Sequence, residues 1–300
     1  MKYASFLLLS LAPLAYLLVC VLASAVLAYP LHFITQEAIG FQTLINKCAT
    51  LLMVVGLIPL GRWLDIGKKE IGLADTKILF FHQLRRGFAY GALMLGIHVL
   101  VLLLLDVRVL DEDKLEAARV LRLSAKALLI GLAVAFIEEP VFRGFLFGSL
   151  VLKTGRATAV LISSFYFAAL HFLKSDLDPD FEDVRWNSGL IIVMDALGHL
   201  SQIHLDSFLA LFSAGALLAC IRSLIPSGLG YCIGLHAGWV FIIKTAKPFT
   251  NRGLHPLWPD LASNFDGIIG YLSAAWISVL ILLVIVCARV KAKNFPLAAP

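Results

Sequence analysis

The stretch ALLIGLAVAFIEEPVFRGFLFGS, residues 127–149, decides how the rest of the chain is read. It is apolar enough and long enough to cross a bilayer, which takes about 20 residues of helix. Yet it carries Glu138, Glu139 and Arg143. Ionisable side chains inside a spanning helix are costly, face the interior of a bundle and mark function. Glu139 and Arg143 stand four apart, on one helix face and in the acid-first order that favours a helical ion pair. Adjacent residues differ by about 100° around a helix, so Glu138 points elsewhere. One carboxylate is therefore paired and the other is left for chemistry. The bland alternative is a buried ion pair beside a spare, protonated carboxyl. Pro140 removes a backbone donor and is expected to kink the helix.

Outward from this stretch the chain stays apolar. Of its 300 residues 60% are hydrophobic and 15% charged, and the mean hydropathy is +0.90. Soluble domains are about a quarter charged, so lipid is the expected solvent and the expected fold class is all-α, a polytopic transmembrane bundle. Candidate spans fall at roughly 5–27, 43–61, 87–105, 127–149, 157–173, 205–222, 228–244 and 268–288. The segment 189–204 is broken by Asp195, His199, Ser201 and His204, and reads as interfacial or re-entrant. No linker divides the chain, so residues 1–300 form one membrane domain. The run from Ser5 to Leu27 exceeds the usual apolar region of a signal peptide, about 7–15 residues, and reads as a first span.

Charge then orients the spans. Arg62, Lys68, Lys69, Arg85, Arg86, Lys153, Arg156, Arg222, Arg289, Lys291 and Lys293 fall on one side if both termini are cytoplasmic, as the positive-inside rule prefers. The acidic loop Asp176–Asp183 falls opposite. Lys244, Lys247 and Arg252 fall on the wrong side, the 106–126 loop is mixed, and a seven-span count stays open. The net charge of +5 is thus a matter of topology; no basic stripe interleaved with aromatics or other nucleic-acid motif is present. Cys20, Cys48, Cys220, Cys232 and Cys287 form no Cys-x-x-Cys pair and read as apolar thiols.

Two histidines complete the constellation. Phe167 and His171 lie four apart on one face of the next span, with Ser164 one turn back. His236 sits between Gly234 and Gly238 in the seventh span, where small residues permit close helix approach. A single histidine on an apolar helix more often packs than reacts. A spare glutamate and two histidines on three spans, however, have the makings of a hydrolytic site. A carboxylate beside a neutral imidazole can hold and deprotonate water, and a second imidazole can donate to the oxyanion that forms. Such a set could also bind zinc, but no His-Glu-x-x-His is present, and the metal-free arrangement is the expectation. Ser163 and Ser164 lack an adjacent base and orienter, and are expected to cap backbone carbonyls. Asp195 and His199, four apart, are expected in an interfacial helix.

On Glu138-Glu139-x-x-x-Arg143, Phe167-x-x-x-His171 and His236, in that order on separate spans, the chain resembles the CAAX-protease and bacteriocin-processing family of intramembrane proteases, which includes the type II prenyl-protein endopeptidases. Phe142, Gly144 and the Phe212-to-Gly215 run add to the likeness, which covers roughly residues 125–245. The resemblance implies an eight-helix membrane fold with Glu138 as general base, His171 positioning the water and His236 in the oxyanion hole. Glu139, Arg143 and Phe167 would support the site or the substrate, a membrane-associated or lipidated peptide. Val240 departs from the family, which often has a polar residue four after the third histidine; losing one oxyanion donor can cost about 100–1,000-fold. The rivals are a non-catalytic membrane partner, such as an immunity or maturation protein keeping the fold, and a transporter, which would want matching halves with broken helices.

Overall fold

The computed structural model describes residues 2–63 and 66–294. The fold is all-α, as the apolar composition requires. Its long helices are α1 (Lys2–Thr35), α2 (Phe41–Trp63), α4 (Lys77–Leu104), α5 (Ala117–Glu139), α9 (Leu205–Leu224), α10 (Leu229–Phe249) and α11 (Tyr271–Asn294). Shorter helices are α3 (Lys68–Ile71), α6 (Phe147–Thr154), α7 (Arg156–Leu170) and α8 (Ser188–Gly198). A two-stranded antiparallel ladder, β1 (Arg108–Leu110) with β2 (Thr250–Arg252), ties the loop after α4 to the loop after α10.

Seven described helical segments are long and apolar enough to cross a membrane, one of them the continuous run Ala117–Thr154. The chain is a multi-pass integral membrane protein. The 15-residue α7 is shorter, spanning about 22 Å at 1.5 Å per residue. It nevertheless connects the two ends of the bundle. One end gathers Glu70, Gly72, Arg222 and Leu229: Arg222 Nη2 donates to Glu70 O (2.7 Å), and Leu229 N to Gly72 O (3.0 Å). The other end gathers the segments after α1, α4, α7 and α10, joined by contacts such as His32 with Phe181 and Phe172 with Phe265. The acidic stretch 176–183 belongs to this second end.

Pro140 does not break the helix. Residues Pro140–Leu146 widen into a π-helical turn between α5 and α6. This π turn absorbs the backbone bond that Pro140 cannot make, because proline is tolerated where the backbone already departs from α-helical bonding. The expected span 268–288 begins at Tyr271, after a loop held by Asp266 Oδ1, which accepts from Ile268 N (2.8 Å) and Ile269 N (2.9 Å). The segment 189–204 does not span: α8 runs for 11 residues and packs on α1.

The centre of the bundle is α10, held between α4 and α5. Glycines set the distance. A Cβ added at Gly234 would lie 2.1 Å from Leu84 O, and one at Gly91 would lie 2.2 Å from Leu235 O. Gly238 meets Phe88 and Ala92 where Gly234 meets Leu84 and Phe88, so α4 and α10 run parallel. On the other face Gly131 of α5 stands against Ala237 O. These backbone approaches bury His236 at the middle of the molecule.

Gly234→Ala should separate α4 from α10 and cost about 1–3 kcal/mol, the usual range for overfilling a close contact. Thermal unfolding in detergent would read this as a lowered Tm. Gly96→Ala, whose Cβ would meet nothing within 4 Å, should leave Tm unchanged or raise it.

Candidate active site

The two glutamates end α5 and diverge. Glu139 and Arg143 are wholly buried, with Arg143 Nε 3.4 Å from Glu139 Oε2. The other oxygen, Glu139 Oε1, accepts from His236 Nδ1 at 2.8 Å. Because a carboxylate accepts, Nδ1 carries the proton and Nε2 is the remaining nitrogen. The guanidinium lies 4.2 Å from the centre of the Phe167 ring, and its Nη2 approaches Gly215 O at 3.4 Å. Gly215 lets α9 approach α7: a Cβ there would stand 3.1 Å from Ser164 Cα and 3.2 Å from the Phe167 ring. This explains the glycine of the Phe212-to-Gly215 run in packing terms.

Glu138 is placed differently. Its side chain is 29% exposed and that of His171 is 25% exposed, with Oε2 and Nε2 3.9 Å apart. Glu138 Oε2 has no hydrogen-bond partner. His171 caps the end of α7, and its Nδ1 donates to Phe167 O at 2.6 Å. That fixes Nε2 as the nitrogen turned to the carboxylate. A 3.9 Å separation is too long for a hydrogen bond, but one water about 2.8 Å from each atom reaches both.

Phe167 is the common neighbour. Its ring centre lies 4.5 Å from that of His171, 5.8 Å from that of His236 and 5.4 Å from that of Phe142. His171, His236 and Arg143 thus surround the Phe167 ring, and the two glutamates join through them. They form two groups, Glu138 with His171 and Glu139 with Arg143 and His236.

Two cavities flank this partition. One, of about 400 Å³, is lined by Glu138, His171, Asn46 and Thr50 among apolar side chains including Leu17 and Phe142. The other, of about 230 Å³, is lined by His171, His236, Trp239, Val240, Lys247 and Asp266 with further residues of α9 and α11. His171 lines both. Glu138 and His236 do not line the same cavity. Asn46 and Thr50 were not singled out from the sequence, although an amide inside the apolar α2 is itself an intramembrane polar signal.

The zinc alternative has a geometric test. Among the described residues no three His, Cys, Asp or Glu side chains converge as a metal would need, and His236 Nδ1 is engaged by Glu139. Ser163 and Ser164 both donate to Val160 O (3.3 and 2.6 Å), the capping expected of them. Asp195 Oδ2 accepts from Ser175 Oγ at 2.7 Å, so the Asp195–His199 helix steadies the loop that follows His171.

Residues 121–242 match the family model described as Rce1-like, type II CAAX prenyl endopeptidase. No curated protein and no solved structure matches the chain. The matched segment is less than half of the chain, and over that segment the chain is similar to the type II CAAX prenyl endopeptidases. Glu138, Glu139, Arg143, Phe167, His171 and His236 all lie within the matched segment.

Removing Arg143 should leave the Glu139 carboxylate buried and uncompensated, which typically costs about 3–5 kcal/mol. Arg143→Leu is expected to lower Tm in detergent by several degrees. Adding Glu139→Gln to it should recover part of that loss. An unchanged Tm in the single variant would show that the pair does not hold the core.

Proposed function

We propose that the protein hydrolyses a peptide bond of a membrane-associated or lipidated peptide by glutamate-activated water, without a metal. One observation carries the reading: the unbonded Glu138 Oε2 stands 3.9 Å from His171 Nε2 on the wall of a largely apolar cavity. Glu138 takes a proton from a water held with His171, and the water oxygen bonds to the scissile carbonyl carbon. The carbonyl π pair moves to oxygen. That oxyanion needs donors. His236 supplies one only as the imidazolium, with Nε2 protonated and Glu139 compensating its charge. Asn46 and Thr50, on the Glu138 side, are polar groups against which the substrate backbone can rest. The proton held by Glu138 then passes to the leaving nitrogen as the C–N bond breaks.

The apolar cavity suits a lipid chain or an apolar peptide segment. The segregation of basic residues to the Arg222 end supports a cell-membrane protein with both termini cytoplasmic. The second reading, a non-catalytic partner that keeps the fold, is favoured by Val240 alone.

The test is cleavage of a peptide anchored by an isoprenylated cysteine, with purified protein in vesicles and products weighed by mass spectrometry. Wild-type protein is expected to cut once. Glu138→Gln should lower kcat by about 100- to 10,000-fold, the range for a general base, at unchanged Tm. Equal activity in the two proteins would contradict the mechanism.

A further inference from the structure

The basic residues that sit at the wrong end for topology converge. Arg108, Lys247 and Arg252 line one pocket of about 260 Å³ with Asp266, Gly267, Ser263 and Asn264. Lys247 and Asp266 also line the cavity that reaches His171 and His236. The pocket is therefore the outer continuation of the candidate active site.

Two further observations ask for an anion here. Arg108 of β1 stands directly opposite Arg252 of β2 in the ladder, and like charges so placed destabilise a strand pair. Among the described residues none of the three cations has an ion-pair partner. Arg108 gives Nε to Thr250 Oγ1 (3.1 Å) and Nη2 also to Thr250, while Arg252 bonds the neutral Asn264 and Pro259 O. Asp266 is the single acid in the wall; its Oδ1 is committed to Ile268 N and Ile269 N, and burial pushes its pKa up. Gly267, at φ +82°, keeps Arg108 Nη1 uncovered: a Cβ there would stand 3.1 Å from it.

We propose that the Arg108–Lys247–Arg252 pocket binds a carboxylate at the chain terminus of the peptide substrate, placing the bond to be cut beside His171. This rests on the endopeptidase reading. Lys247 and Asp266, shared by the pocket and the cavity of His171, would set the distance from the bound terminus to the bond cut. A lipid phosphate has the same oxyanion chemistry and is the competing occupant.

The test uses Glu138→Gln protein in vesicles and a fluorescent isoprenylated peptide ending in a free acid or in an amide. The acid peptide is expected to bind at least about 10-fold more tightly, the worth of a charge-assisted hydrogen bond. Lys247→Gln should abolish that preference by weakening the acid peptide alone, and Asp266→Asn, which keeps the Oδ1 acceptor, should enlarge it. Equal affinity for acid and amide overturns the proposal. So does a Lys247→Gln effect that follows the fraction of anionic lipid and ignores the peptide terminus, which assigns the pocket to a headgroup. Cleavage by the protein with Glu138 intact is measured alongside. Acid preference in binding without cleavage sinks the endopeptidase reading and leaves the pocket standing. Cleavage without acid preference does the reverse.

Discussion

A guanidinium, a carboxylate and an imidazole are buried together in the core of the molecule. Arg143 and Glu139 are fully buried and His236 nearly so. Removing such groups from water is expensive, and only close mutual contact repays it. The contacts join three structural units: the π-helical turn after α5, α10 through His236, and α9 through Gly215 O. Arg143 also lies on the Phe167 ring of α7. The positions of α5, α7, α9 and α10 around the site are therefore coupled to one charge network, and the glycines of α4, α5 and α10 make the approach possible.

That network gives the two neighbouring glutamates different fates. Glu139 spends both oxygens inside the core. Glu138, one residue earlier and turned away by the helix, reaches the cavity wall beside His171. The proposed hydrolysis calls for a rigid frame and an under-bonded base, and Glu138 Oε2 has no hydrogen-bond partner. The Phe167 ring, touching His171 on one side and His236 on the other, keeps the two groups in register.

Much of this was legible in the residues. Unbroken apolar runs announce a helical bundle, and a one-residue step between Glu138 and Glu139 is enough to give them different surroundings. Three things were hidden. The π turn at Pro140 was not foreseen, because local sequence does not say how a proline's missing bond is absorbed. The division of the site into two cavities meeting at His171 depends on side-chain placement between non-adjacent helices. Asn46 and Thr50 join the site only because α2 lies against the π turn, a long-range contact with no local signal. The basic residues Lys247 and Arg252 were visible as a topological anomaly, and the fold turns the anomaly into a pocket.

The central claim is that Glu138 and His171 act as one unit on a single water. A double-mutant cycle measures it, with kcat/KM for peptide cleavage compared among wild type, Glu138→Gln, His171→Ala and the double variant. Residues acting as a unit are strongly non-additive. The account predicts that either single change costs nearly as much as both together. Losses that multiply independently, or a His171→Ala protein that cleaves at the wild-type rate, would contradict it.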